Sequence, residues 1–157
     1  MGPSTRLAQQ IAIAIPALLL GGAYLGQYAF GLFPCEMCWW QRYAHFAALA
    51  LALVSTVVPP RRMWVLLAGT AVLAAGLLGG YHAGVEYHWW EGLTTCSSTS
   101  SGHSLADIMN APLIRCDVAQ WTLFGISLAG YNFLISTVSA IAIFILLARP
   151  SAQRTPA

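Results

Sequence analysis

Lysine is absent from this 157-residue chain, and charged residues make up only 8% of it. A soluble domain carries about a quarter charged residues, so a chain this poor in charge would not stay dispersed in water. Disorder is also excluded, because 58% of the residues are hydrophobic and the formal net charge is only +2. Arginines without lysines or a basic stripe cannot neutralise a phosphate backbone, which excludes nucleic-acid binding. An integral membrane protein remains.

Charge is missing altogether from four long stretches, and these predict how the chain crosses the membrane. Each holds an apolar core near the ~20 residues that a helix needs to cross the hydrocarbon layer. Long apolar runs without alternation exclude barrel strands, the other structure that satisfies its backbone in lipid. The sequence predicts an all-α membrane protein in which residues 1–157 form one domain, a four-transmembrane-helix bundle. Its spans are expected over residues 9–31, 39–58, 63–84 and 121–148. The second charge-free stretch, 43–60, is the shortest, so its helix is expected to begin earlier and to include Arg42.

The distribution of charge predicts the orientation of these spans. Five arginines lie at the two ends of the chain or in the turn at 59–62, and all five acidic residues lie on the opposite side. Because cytoplasmic loops carry an excess of arginine, we expect both termini and the 59–62 loop in the cytoplasm. The loop at 32–38 and the long loop at 85–120, between helices 3 and 4, would then face the periplasm.

Glycines four residues apart recur in two of the predicted spans. Gly22 and Gly26 lie in the first, and Gly76, Gly80 and Gly84 lie in the third. Small residues at this spacing let neighbouring helix backbones approach closely. The pattern predicts tight helix packing at both places.

Cysteine is scarce, and none of the four cysteines lies in the middle of a predicted span. Cys35, Cys38, Cys96 and Cys116 all lie at or beyond the outer ends of the helices. The outer side of a bacterial inner membrane is oxidising, so disulfides are expected there. Spacing suggests Cys35–Cys38 and Cys96–Cys116 disulfides, although four cysteines allow three connectivities.

The C-x-x-C pair formed by Cys35 and Cys38 has several possible uses. Haem attachment would need a histidine after the second cysteine, where this chain has Trp39. A zinc site would draw its remaining ligands from Cys96 and Cys116, which stand 20 positions apart and form no second knuckle. A purely structural disulfide here would add little stability, because the loop that it closes is so small. Redox exchange is the use that this spacing suits best.

The surroundings of the pair favour the same interpretation. Pro34 favours a helix start directly after it, which places the cysteines in the first turn, where the helix dipole favours a thiolate. Arg42 follows Cys38 by one helical turn on the same face. An arginine at the edge of the lipid is a functional candidate, and an arginine that snorkels to the interface is the alternative. A thiolate, a cation and an apolar cleft together suit a quinone.

These residues belong to a pattern that resembles the disulfide bond formation protein B (DsbB) family. The pattern covers nearly the whole chain and agrees in span number, orientation and cysteine order. It consists of Pro34-Cys35-x-x-Cys38-x-x-Gln41-Arg42, Tyr81-His82-x-Gly84-x-Glu86, Trp90, Gly92, Cys96, Arg115-Cys116-Asp117, Trp121 and Gly125-x-Ser127-x-Ala129-x-Tyr131-Asn132.

The resemblance implies an inner-membrane thiol:quinone oxidoreductase that reoxidises a periplasmic DsbA-like oxidase of thioredoxin fold. Such an enzyme supports disulfide bond formation in exported proteins. The Cys96–Cys116 disulfide would accept electrons from this partner, and the Cys35–Cys38 pair would pass them to ubiquinone or menaquinone in the membrane.

Family position also implies roles for individual residues. Cys38 would be the sulfur next to the quinone, and Cys35 would exchange with the loop cysteines. Arg42 is implied as a quinone contact, and His82, at the outer end of the third span, is the candidate for another. No metal is expected in such a site.

Two alternatives stay open at this point. A vitamin K epoxide reductase-type protein shares the bundle and the chemistry, but its C-x-x-C begins the last helix, whereas here the C-x-x-C comes first. A structural or metal-binding four-span protein with disulfide-stapled loops would use the same cysteines without turnover.

Overall fold

Four long helices dominate the computed structural model, which describes residues 2–93, 97–98 and 113–149. The helices are α1 (Pro3–Phe30), α2 (Glu36–Val57), α3 (Arg61–Glu86) and α4 (Leu128–Ala148). Two small antiparallel pairs complete the described part, β1 (Ser97–Ser98) with β2 (Leu113–Ile114) and β3 (Thr122–Leu123) with β4 (Ile126–Ser127). The predicted helical architecture is therefore confirmed.

The helices pack around α3, which lies along both α2 and α4, while α1 packs against α2 and α4. The core near the end of the bundle where α1 begins is built mostly from small side chains, which lets the helices approach closely. Its buried members are Ala8, Ala12, Ala52, Val65, Ala68, Ile143 and Leu147. The candidate site lies at the opposite end.

Three helices, α1, α3 and α4, are long and apolar enough to cross a membrane. The structure does not place α2 among them, although its 22 residues correspond to about 33 Å of helix. The reason lies in its N-terminal half, where Gln41, Arg42 and His45 interrupt the apolar sequence. All three are buried, each no more than 6% exposed, so these polar groups face the bundle. Large apolar side chains cover the outside of the bundle, as expected of a membrane protein.

The glycines of α3 and those of α1 behave differently. A Cβ atom at Gly76 would lie 2.8 Å from Thr137 Oγ1, and one at Gly80 would lie 2.8 Å from Phe133 Cδ2, so close packing is confirmed there. The prediction for α1 is wrong, because a Cβ at Gly22 would meet nothing within 4 Å. The side of α1 that carries Gly22 lines a cavity.

The start of α4 also differs from the sequence prediction, which began the fourth span near residue 121. The helix begins at Leu128, because the β3–β4 hairpin occupies the preceding residues. Its turn uses the left-handed backbone of Phe124 (φ +51°) and Gly125 (φ +77°). Ser127 then caps the helix, its Oγ accepting a hydrogen bond from the Gly130 N–H at 3.1 Å.

Candidate functional site

The two cysteines of the C-x-x-C pair lie at the N-terminus of α2, as predicted. Pro34 precedes the helix, Cys35 is its N-cap, and the Cys38 N–H donates to Cys35 Sγ at 3.4 Å. The two sulfurs are 3.2 Å apart, which is hydrogen-bond distance and longer than the ~2.05 Å of a disulfide bond. The arrangement is that of a dithiol at the positive end of a helix dipole.

The two thiols differ in their surroundings. Cys35 is only 2% exposed, whereas Cys38 is half-buried. The hydrogen bond to Cys38, together with burial, raises the pKa of the Cys35 thiol to about 12. Cys35 therefore keeps its proton and donates it towards the Cys38 sulfur.

His82, on the last turns of α3, lies against both sulfurs. Its Nε2 is 3.5 Å from Cys35 Sγ, and its Nδ1 is 4.0 Å from Cys38 Sγ. Glu86, one turn further along α3, has Oε1 3.7 Å from His82 Nε2, and the exposed fraction of its side chain is 8%. The sequence did not decide where Glu86 points; the structure places it beside the histidine.

Of the two loop cysteines, the structure describes one. Cys116 is buried and packs with Cys35, Met37, Val85 and Ile114. Its backbone oxygen also lies 3.2 Å from the His82 Nε2 atom. Cys96 lies outside the described residues, as does most of the loop between helices 3 and 4.

Arg42 points towards α1 and is 6% exposed. Its Nη1 donates to Gln27 Oε1 at 2.6 Å, and its Nη2 donates to the Ala23 carbonyl at 3.2 Å. The guanidinium carbon also lies 4.8 Å from the ring centre of Tyr24 and 5.0 Å from that of Trp39. Within residues 2–93, 97–98 and 113–149 no carboxylate pairs with it. The buried position argues against snorkelling as the reason for this arginine.

These groups share a cavity of about 630 Å³, a volume typical of small-molecule sites. Cys35, Cys38, Arg42, His82 and Glu86 line it on the polar side. Apolar side chains of α1 and of the segment after it, among them Leu18, Leu25, Phe30 and Phe33, line the rest. The cavity therefore suits a ligand with a polar end and an apolar tail.

A buried hydrogen-bond chain behind His82 was missed as a unit by sequence reasoning. Gln41 Nε2 lies 2.9 Å from His82 Nδ1, Asn132 Nδ2 donates to Gln41 Oε1 at 2.7 Å, and His45 Nε2 lies 2.8 Å from Asn132 Oδ1. Gln41 and Asn132 entered the sequence analysis only through the family pattern. Polar residues inside an otherwise apolar helix were the available signal, because lipid-embedded polar groups need partners.

The sulfurs of Cys35 and Cys38 and a ring nitrogen of His82 lie within 4.8 Å of one another, which is close enough to hold a metal ion. Two thiols and an imidazole suit zinc. His82 Nδ1, however, faces an amide N–H of Gln41, so Nδ1 cannot ligate a metal without displacing that donor. If Nε2 ligated instead, Nδ1 would lack the acceptor that a ligating histidine normally has for its other N–H. The second shell therefore fits a hydrogen-bonded dithiol better than a metal centre.

Comparison with known proteins supports the resemblance read from the sequence. The family described as "Disulfide bond formation protein DsbB" matches residues 5–146. The disulfide bond formation protein B of Verminephrobacter eiseniae is 30% identical over 97% of this chain and 92% of its own length. The protein of the same name from Aromatoleum aromaticum is 31% identical, over 93% of this chain and 94% of its own length. No solved structure matches the chain. This membrane protein therefore belongs to the DsbB family of disulfide bond formation proteins.

Proposed function

We propose that the protein is a thiol:quinone oxidoreductase that reoxidises a periplasmic DsbA-like oxidase. One observation carries this proposal: the dithiol of Cys35 and Cys38 and the buried Arg42 line the same cavity, whose other side is apolar. A membrane quinone, ubiquinone or menaquinone, has the matching polar ring and apolar tail. When bound, it supplies an acceptor for two electrons and two protons.

The two cysteines have different roles in the proposed reaction. Both cysteines line the cavity, but Cys38 is the less buried of the two, so we assign its sulfur to the acceptor. Cys35 packs in the same cluster as Cys116, so it exchanges with the loop cysteines. Arg42 presents a positive charge at the cavity wall, so it would hold the polar end of the quinone by a charge-assisted hydrogen bond.

The proposed reaction has three steps, two thiol–disulfide exchanges and one oxidation by the quinone, and its electrons and protons balance. The partner's two thiols reduce the Cys96–Cys116 disulfide and leave as the partner's disulfide. The two loop thiols then reduce the Cys35–Cys38 disulfide by the same exchange. Oxidation of the Cys35 and Cys38 thiols back to the disulfide releases two electrons and two protons, which convert quinone to quinol. A strongly oxidising partner, near −120 mV, requires an acceptor of this kind.

The proposal includes four crossings of a bacterial inner membrane, with α2 as the fourth crossing. Support comes from the burial of its polar side chains, because the face of α2 that they occupy contacts the bundle and not lipid. Both termini and the 59–62 loop then lie in the cytoplasm, and the loops at 32–38 and 85–120 lie in the periplasm. The site is thereby at the outer edge of the membrane, where a quinone and a periplasmic partner both have access.

Steady-state kinetics test this proposal. Purified protein in nanodiscs receives a reduced DsbA-like partner and a short-chain quinone, and quinol formation is followed by absorbance. We expect Cys38→Ser to abolish turnover, since a serine hydroxyl cannot form a disulfide with Cys35. Arg42→Ala should raise the quinone KM about 10-fold or more, the effect of a lost charge-assisted hydrogen bond.

Arg61→Ala is the matched control, because Arg61 is exposed at the start of α3, about 30 Å of helix away from His82 near the other end of α3. It should leave both kcat and KM unchanged. Wild-type kinetics in Cys38→Ser and Arg42→Ala would refute the site, and a wild-type protein without quinol formation would refute the function.

A further inference from the structure

The hydrogen-bond chain behind the dithiol has a direction. His45 Nε2–H donates to Asn132 Oδ1, and the Asn132 amide donates to Gln41 Oε1. The Gln41 amide in turn faces His82 Nδ1 with an N–H. Ser136 Oγ adds a second donor to Asn132 Oδ1 at 2.8 Å. Every donor in the chain thus points towards His82.

Backbone carbonyls fix this direction. The Gln41 Nε2 group also donates to the Met37 carbonyl at 3.1 Å, and the Asn132 Nδ2 group also donates to the Ala75 carbonyl at 3.0 Å. Turning either amide by 180° would place its oxygen against that carbonyl oxygen. A backbone carbonyl only accepts hydrogen bonds, so both amides have one satisfied orientation.

The two nitrogens of His82 therefore have opposite surroundings. Nδ1 meets the Gln41 donor at 2.9 Å, so it must be an unprotonated acceptor. Nε2 is surrounded by acceptors: the Cys116 carbonyl at 3.2 Å, Cys35 Sγ at 3.5 Å and Glu86 Oε1 at 3.7 Å. The proton of the neutral ring belongs on Nε2.

We propose that Gln41 and Asn132 are positioning residues that hold His82 as the neutral Nε2–H tautomer, so that its ring donates a hydrogen bond to the Cys35 sulfur. His82 then acts on the dithiol as a donor that stabilises a Cys35 thiolate, and not as the base that removes the thiol proton. The use of this thiolate in quinone reduction rests on the proposed function; the tautomer itself does not.

Cys35 is the sulfur that needs such a donor. Its hydrogen bond with Cys38 and its burial hold its proton, and the hydrogen bond from His82 is the opposing influence. Closure of the Cys35–Cys38 disulfide requires the Cys35 proton to leave, and under the proposed function it is one of the two protons that the quinone takes up. A fixed N–H at the Cys35 sulfur therefore stabilises the charge that forms in that step.

A proton wire through the same chain is excluded by its chemistry. Neutral Gln41 and Asn132 amides hold their protons and do not pass them on under ordinary conditions. The chain can therefore orient His82 without conducting protons from His45.

Nitrogen-15 NMR of the full-length protein in detergent micelles, with labelled histidine, tests the tautomer directly. The His82 signals are assigned by their loss in His82→Gln. We expect wild-type His82 near neutral pH to show a bare Nδ1 and a protonated Nε2. Gln41→Glu replaces the donor facing Nδ1 with a carboxylate acceptor, so Nδ1 should become protonated in that variant.

Gln9→Glu is the matched control, because it also introduces a carboxylate at a buried glutamine, one that bonds Ser55 in a different part of the bundle. It should leave the His82 signals unchanged. A protonated Nδ1 in the wild type, or a bare Nδ1 in Gln41→Glu, would overturn the proposal. If Gln41→Glu does not fold, the wild-type spectrum alone decides.

Activity separates this proposal from the proposed function. Gln41→Glu should lower the rate of quinol formation about 10-fold, the effect of one hydrogen bond to a charged group. If wild-type His82 is the Nε2–H tautomer but the protein forms no quinol, the proposed function is refuted and the role of Gln41 and Asn132 in holding His82 stands. If the wild-type protein forms quinol but its His82 is the Nδ1–H tautomer, only the role of Gln41 and Asn132 in holding His82 is refuted.

Discussion

Cys35 and Cys38 share one helical turn and yet differ as chemical groups. Cys35 is 2% exposed and packs against residues of the Cys116 segment. Cys38 is half-buried, and both cysteines line the cavity. The pKa of Cys35 is raised to about 12, first by its hydrogen bond with Cys38 and then by burial. Burial and proton affinity therefore both make Cys38 the sulfur that reacts first in the dithiol.

Alkylation tests this difference as a function of pH. A thiol whose pKa is raised to about 12 is about one part in ten thousand thiolate at pH 8. In the reduced protein, iodoacetamide should thus modify Cys38 well before Cys35, as measured by peptide mass spectrometry. Because Cys38 is the main cause of the raised pKa, Cys38→Ala should make Cys35 react at lower pH. Equal reactivity of both thiols in the wild type would contradict this assignment.

Sequence reasoning identified individual residues when their chemistry was local. The C-x-x-C pair, the helix start after Pro34 and Arg42 one turn later all follow from neighbours in the sequence. Gln27 could not be predicted as a partner of Arg42, since it lies on another helix. Asn132 contacts Gln41 across 91 positions of the chain, a pairing that only the packed bundle defines.

Among the helices, α3 is the element that most depends on close packing. Gly76 and Gly80 face α4 without space for a side chain, whereas Gly84 meets the Trp90 ring. A Cβ at Gly76 would lie 2.8 Å from Thr137 Oγ1 and 3.1 Å from the Thr137 backbone nitrogen. His82 lies on the same helix, so the packing of α3 against α4 also sets where the histidine meets the dithiol.

Alanine substitutions compare the two glycine-containing helices. Gly76→Ala should reduce the free energy of unfolding by about 1–3 kcal/mol, because the added methyl group must displace the α4 backbone. Gly22→Ala, in open space on α1, should be neutral or stabilising by up to about 1 kcal/mol, since alanine favours a helix. Thermal unfolding in one detergent measures both. A loss of stability as large in Gly22→Ala as in Gly76→Ala would contradict this packing.

Element boundaries followed from the sequence where a breaking residue marks them. Gly31, in the left-handed region at φ +67°, ends α1, and Pro34 and Pro60 precede α2 and α3. The start of α4 was predicted too early, because hydropathy does not distinguish the apolar β3–β4 hairpin from a helix. The cavity beside Gly22 was unpredictable for another reason: small residues at helical spacing fit an open wall as well as a helix contact.

As a whole molecule, the protein places its reactive groups at one end of an apolar bundle. Small buried side chains occupy the other end, where α1 begins and α4 finishes. The proposed topology puts the reactive end at the periplasmic face. Under the proposed function, the dithiol would there meet a partner protein from outside and a lipid-soluble acceptor from the apolar side of the cavity.

Single-cysteine labelling tests this topology. With the native cysteines replaced by serine, Val118→Cys and Val58→Cys each introduce one thiol at a partly exposed site, 51% and 40% exposed. We expect a membrane-impermeant maleimide to label Val118→Cys in intact spheroplasts, and to label Val58→Cys only after permeabilisation. The reverse pattern would contradict the proposed topology, because it requires either the inverted orientation or an α2 that does not cross. Labelling of both sites in intact spheroplasts would contradict the crossing by α3, which is the helix between them.

The central claim is that the Cys35–Cys38 dithiol delivers its electrons to a quinone, and a single-turnover titration tests it most directly. A Cys96→Ser, Cys116→Ser double variant retains only this pair, which is reduced and then mixed anaerobically with a short-chain quinone. The account predicts that one quinol forms for each dithiol lost, with the Cys35–Cys38 disulfide as the product. Unchanged thiols in the presence of excess quinone would contradict it.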